Sequence, residues 1–109
     1  MPDWSTIIQA IRNAGVAVDA GVAPRAVGGG DISAAWRLQG DDGSVFVKTG
    51  PASSYEMFAA EAEGLAELAA PGAIRVPGVI AYGQHQNMAF VALEWLDFSR
   101  PARATETLL

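Results

Sequence analysis

Residues 53–72, "SSYEMFAAEAEGLAELAAPG", carry a helical repeat of apolar positions between segments that alternate. Phe58, Glu61, Leu65 and Leu68 recur at i, i+3, i+7 and i+10, so they share one stripe of such a helix. Ser53 and Glu56 have the spacing of a capping box at its start, and Pro71-Gly72 stops it. On either side the period drops to two. Upstream, "SVFVKT" follows the hairpin signal Asp41-Asp42-Gly43 and sets Val45 and Val47 on one face, Phe46 and Lys48 on the other. Before it, "VAPRAVGGGDISAAWRLQ" reads as two short extended segments joined by Gly28, Gly29 and Gly30. Downstream, "RVPGVIAYGQHQNMAFVALEWLDF" reads as two strands around a polar turn at residues 85–87. At the start of the chain, "DWSTIIQAIRNAG" sets Trp4, Ile7, Ile8 and Ile11 at helical spacing, with Asp3 or Ser5 as cap and Gly15 as stop. The pattern predicts an α+β fold: a five-stranded antiparallel meander, one long helix packed on a face of the sheet, and an extra N-terminal helix.

Composition narrows what such a fold could do. At 109 residues the chain has room for one domain with a modest core. Half the residues are hydrophobic and 17% are charged, which fits a folded chain. The formal net charge is −5 and the basic residues form no stripe, so nucleic acid is a poor partner. There is no cysteine, which excludes disulfides, thiolate metal sites and a cysteine nucleophile, and one histidine, His85, cannot build a histidine-rich site. No apolar stretch reaches the length of a membrane span, and acid stands where a signal peptide carries its positive region. A cytoplasmic protein that does not contact membrane is the expectation.

Lys48 is the one lysine beside six arginines. A compact point charge on a flexible stem does different work from a planar fork, so a lone lysine at a strand end marks a site needing the former. Glu61 is the acid on the apolar stripe of the long helix, whereas Glu63 and Glu67 fall on another face. A carboxylate among packed residues needs a partner, and Lys48 on the preceding strand is the natural one. The glycines at 28–30 let backbone amides approach an anion, but by themselves they are a weak signal. No third spaced glycine follows, a strand rather than a helix comes next, and no Gly-Lys-Ser/Thr ending is present. In order along the chain, glycine turn, strand lysine, helix glutamate and the apolar strand ending in "ALEWLD" follow a kinase small lobe, in which the loop covers ATP phosphates and the glutamate orients the lysine.

The segments "GGGDISAAWRL", "VFVKTG", "MFAAEAEGLAEL", "IRVPGVIAYG" and "FVALEWLDF" together resemble the N-terminal lobe of the fructosamine kinase (ketosamine 3-kinase) family, which has the protein-kinase-like fold of aminoglycoside and choline kinases. The resemblance runs from the first helix to Phe98. It implies an ATP-binding lobe over residues 1–98 and a hinge and tail over 99–109. Carried over by position, Gly28, Gly29, Gly30, Asp31 and Ile32 belong to the phosphate loop, and Lys48, beside Val47, is the phosphate lysine with Glu61 as its partner. Leu93 backs the adenine pocket, and the Glu94 carbonyl and Leu96 amide, flanking Trp95, bond the adenine edge. Asp31 stands where many relatives carry a cysteine, so redox behaviour tied to that thiol is not expected.

The resemblance also marks what the chain lacks. The family carries its catalytic aspartate and Mg2+ ligands on a C-terminal lobe, in an H-G-D motif and a later aspartate. This sequence has no H-G-D, and Asp31, Asp41, Asp42 and Asp97 have no spacing that replaces it. The 109 residues alone are therefore expected not to catalyse. The implied activity is ATP-dependent phosphorylation of fructosamine-type small molecules or glycated proteins, leading to deglycation. Two alternatives stand beside it: an inactive stand-alone remnant that binds nucleotide or a partner, with self-association covering its apolar hinge side, and a phosphotransferase acting on an aminoglycoside or another small alcohol.

Overall fold

The computed structural model describes residues 3–19, 21–29, 33–40, 43–69 and 77–95. The chain order is α1 (Trp4–Asn13), β1 (Arg25–Gly29), β2 (Ala34–Gln39), β3 (Ser44–Pro51), a 3-10 turn (Ala52–Ser54), α2 (Tyr55–Ala69), β4 (Val79–His85) and β5 (Met88–Glu94). All five strands pair antiparallel in one sheet of order β1-β2-β3-β5-β4. The α+β class with a five-stranded sheet is as expected. The meander is not: α2 carries the chain past the edge of β3 to β4, and β5 returns by a hairpin into the gap between them. The hairpin turns at Gln86, whose φ of 55° is the one positive value at a non-glycine among the described residues.

Alternation divides the sheet into two apolar layers. On one face Leu38, Val45, Val47, Phe90 and Ala92 pack with Ile7 and Ile11 of α1. On the other, Ala89, Val91 and Leu93 pack with Phe58 and Ala62 of α2. The two helices thus cover opposite faces. β5 is buried on both, which is why residues 89–93 read as an unbroken apolar run rather than an alternating one. β3 keeps the alternation: Val45, Val47 and Thr49 are buried under α1, while Phe46 and Lys48 are half-buried on the α2 side.

α1 starts as its sequence predicts. Asp3 is the N-cap: its carboxylate accepts from the Thr6 backbone N–H (3.3 Å), the Thr6 hydroxyl (2.8 Å) and the Ser5 hydroxyl (3.0 Å). Past the helix end Gly15 takes φ +96°, the left-handed value a stop glycine supplies. The hydrogen bonds from Thr6 and Ser5, with His85 nearby, hold the Asp3 carboxyl below its ordinary pKa. A depressed folded pKa means the cap stabilises above the unfolded value and fades as pH falls through the folded one. Asp3→Ala is expected to lower the melting temperature at pH 7 and to make less difference in acid below the ordinary aspartate range. Paired thermal melts at the two pH values check this.

Two sequence expectations for α2 are corrected. The helical run begins one residue before Ser53, in the 3-10 turn, so Ser53 lies inside the turn rather than at a cap. The buried stripe is Tyr55, Phe58, Ala62 and Leu65, and Leu68 is exposed. The stripe is rotated slightly toward the small Ala62 side chain, which lets the helix approach the sheet. Pro71-Gly72 lies outside the described residues.

One glycine is required by packing. A Cβ on Gly40 would stand 2.5 Å from the Gly43 carbonyl oxygen and 3.0 Å from that of Ala17. The close approach lets the segment after α1 pair with the end of β2, through the Val18–Gly40 bridge and the Asp19 N–H to Gln39 carbonyl bond of 2.8 Å.

Candidate functional site

The α2 face of the sheet carries the candidate chemistry. Register places Lys48 opposite Ala35 of β2 and Val91 of β5, and Phe46 opposite Arg37 and Leu93. Directly opposed residues share a face, so Lys48, Phe46 and Leu93 look toward α2. From α2, Glu61 reaches down to the lysine: Lys48 Nζ lies 2.7 Å from Glu61 Oε1. Phe58, one turn earlier on α2, lies beneath, with its ring centroid 5.9 Å from Lys48 Nζ.

Glu61 sits at the edge of the apolar stripe, and the two side chains keep 29% and 31% of their surface exposed. An ion pair this accessible adds less than about 1 kcal/mol to stability. What the pair offers chemically is an ammonium fixed in place and partly open to an incoming anion. Glu63 and Glu67 are exposed. A phosphate-bearing ligand held by this pair is expected to bind clearly more weakly to Glu61→Gln, whereas Glu63→Gln changes its binding little. Titration calorimetry of both variants checks this, and equal effects would contradict the facing of α2.

Beside the ion pair lies a cleft of about 360 Å³ lined by Phe46, Glu61, Leu65, Leu93, Glu94 and Trp95, with Pro77 at its rim. Its walls are mainly apolar and its polar groups few, the usual make-up of a small-molecule site. Trp95 packs against Phe46 with centroids 6.0 Å apart and planes at 58°. Glu94 is tied to the start of β4: its Oε1 accepts from the Gly78 N–H at 3.1 Å, and its own N–H donates to the Gly78 carbonyl at 2.8 Å.

The residues singled out by sequence thus fall into four groups. Lys48, Glu61, Leu93, Glu94 and Trp95 gather around the ion pair and the cleft. Gly28 and Gly29 do not form a turn: they end β1, paired with Ala35 and Ala34 after a bulge beyond Ala26. Among the described residues no atom would lie within 4 Å of a Cβ on Gly28. Gly30, Asp31, Ile32 and Leu96 lie outside the described residues. Val47 is a correction. Its side chain is fully buried in the α1 layer, on the face away from Lys48, because the two are neighbours on one strand. Phe46 takes the position facing the cleft. The same alternation that put Phe46 beside Lys48 carried that signal.

The five-stranded antiparallel sheet, with its strand lysine ion-paired to a helix glutamate, is of the kinase-like fold by comparison with solved structures. A solved structure from Haemophilus somnus 129PT, provisionally named a fructosamine-3-kinase, superposes with a TM-score of 0.74 at 30% identity, covering 86% of this chain and 32% of that one. The family model for fructosamine kinase matches residues 3–109, and the chain belongs to that family. A provisionally named ketoamine kinase of Synechocystis sp. is 41% identical over 76 residues, which is 70% of this chain and 26% of that protein. Another, from Enterococcus faecium, is 32% identical over 69 residues, covering 63% and 24%. The chain thus spans about a quarter of these curated relatives. No helix among the described residues is long and apolar enough to cross a membrane.

Proposed function

We propose that residues 1–98 are the ATP-binding lobe of a kinase that phosphorylates sugar-amine adducts. The observation that carries this reading is the 2.7 Å Lys48–Glu61 pair beside an apolar cleft at the exit of β5. In such a lobe Lys48 holds the α- and β-phosphates while Glu61 keeps its ammonium in place. A compact ammonium can meet phosphate oxygens and a carboxylate together, which answers why a chain rich in arginine keeps one lysine here. Leu93 and Phe46 give the base apolar walls, and the Glu94 carbonyl with the Leu96 amide would bond its edge. Gly28, where a Cβ would meet none of the described atoms within 4 Å, leaves backbone room for phosphate to approach.

Phosphoryl transfer also needs magnesium and a group that orients the attacking hydroxyl. Among the described residues no three His, Asp or Glu side chains form a metal-sized cluster, so no step through a metal ion is derived from this segment. Acceptor recognition and proton transfer are assigned to the part of the relatives that this chain does not span. Phosphorylation of the sugar 3-hydroxyl would destabilise the adduct and release the amine, which is deglycation. The test is 31P NMR of the complete polypeptide, as its cell makes it, with ATP and fructosyl-lysine. A new phosphate monoester on the sugar supports the proposal. Phosphorylation of an aminoglycoside or choline instead, with fructosyl-lysine untouched, would overturn the substrate class.

A further inference from the structure

We propose that Arg37 is a positioning residue for the nucleotide: set over Trp95, it fixes that residue, just past β5, in the wall of the cleft that faces the base. The inference rests on the nucleotide reading above. The Arg37 guanidinium carbon lies 4.6 Å from the centroid of the Trp95 ring, and its Nε donates to Ser44 Oγ at 2.7 Å. Trp95 in turn lies against Phe46, and both rings line the cleft. The β2–β3 hairpin and the distant residue after β5 therefore meet in one stack on the Lys48 face.

Strand pairing gives no reason for arginine at this place. Register sets Arg37 directly opposite Arg25 of β1, and like charges so placed destabilise a sheet. No carboxylate among the described residues forms an ion pair with Arg37. What it does find is an aromatic face. A planar guanidinium stacks there as an ammonium cannot, and the bond to Ser44 fixes its orientation. The exit of β5 is thus held from two sides, Glu94 by Gly78 and Trp95 by Arg37. Without Arg37 the indole is free to leave Phe46, and the wall facing the base loosens. Lys48 and Glu61, further along the same face, are untouched by that change. The loss therefore falls on ATP capture and not on transfer from bound ATP.

Steady-state kinetics of the complete protein with ATP and fructosyl-lysine tests this. Arg37→Ala is expected to raise the KM for ATP roughly three- to tenfold while kcat stays within about twofold. Trp95→Ala raises it similarly, and the double variant is no worse than the poorer single one, because the two act as a unit. Arg37→Lys falls between, keeping the charge without the stack. An unchanged KM in Arg37→Ala, additive effects in the double variant, or equal losses in kcat and kcat/KM with a lowered melting temperature would each overturn the proposal. Lys48→Met in the same assay separates the two claims. If it loses ATP capture while Arg37→Ala is silent, only the role of Arg37 falls; if both are silent, the nucleotide reading falls with it.

Discussion

Lys48→Met is expected to lower ATP affinity in the complete protein by at least about a hundredfold while leaving it folded. On the proposed reading two charge-assisted contacts to phosphate oxygens are at stake, each worth roughly 1.5–3 kcal/mol. The fold has little to lose, because the ion pair is about a third exposed and adds less than about 1 kcal/mol. Methionine keeps an apolar stem over the Phe58 ring, and the released Glu61 carboxylate can turn toward water. Titration calorimetry with ATP, alongside a thermal melt, separates the two quantities. Lost binding with a preserved melt supports a phosphate role for Lys48, and unchanged binding removes it.

The largest expected effect on stability lies one turn before Glu61. Phe58 is fully buried and joins α2 to Ala89, Val91 and Leu93 of β5. Phe58→Ala leaves a cavity as well as losing the ring's transfer free energy, at a cost of about 3–5 kcal/mol. That is a large fraction of the stability of a small domain. Met57→Ala, next along the helix but half exposed, is expected to stay within about 0.5 kcal/mol. Urea denaturation of both variants reads the contrast directly. Phe58 also supports the ammonium of Lys48, so the milder Phe58→Leu should still weaken nucleotide binding by letting α2 shift. If Phe58→Ala cost no more than Met57→Ala, the assignment of the buried stripe would be wrong.

The facing of β3, the Asp3 cap, the limits of α1 and the Lys48–Glu61 pair were legible in the sequence because each depends on local periodicity or on charge scarcity. One lysine and one stripe acid leave few ways to pair. Strand order was less legible. An antiparallel hairpin can join a sheet by either of its strands, and here β5, apolar on both faces, takes the inner place between β3 and β4. The sequence marked α1 as a helix but not the face it covers, since both sheet faces are apolar. Leu68 has the same spacing as Leu65, yet Leu65 packs against the α2 layer and Leu68 is exposed. Val47 was drawn toward the site by adjacency to Lys48, although the pleat turns neighbours apart. The stack of Arg37 on Trp95 had no local signal, because it joins residues 58 positions apart through the ladder of β2, β3 and β5.

The most direct measurement is a crystal structure of the complete protein with a non-hydrolysable ATP analogue. The expected result has α- and β-phosphate oxygens within hydrogen-bond distance of Lys48 Nζ, Glu61 still paired to it, and the base between Phe46 and Leu93 against the Glu94 backbone. An analogue bound elsewhere, with this cleft left apart from it, would contradict the assignment of residues 1–98 as the nucleotide-holding lobe.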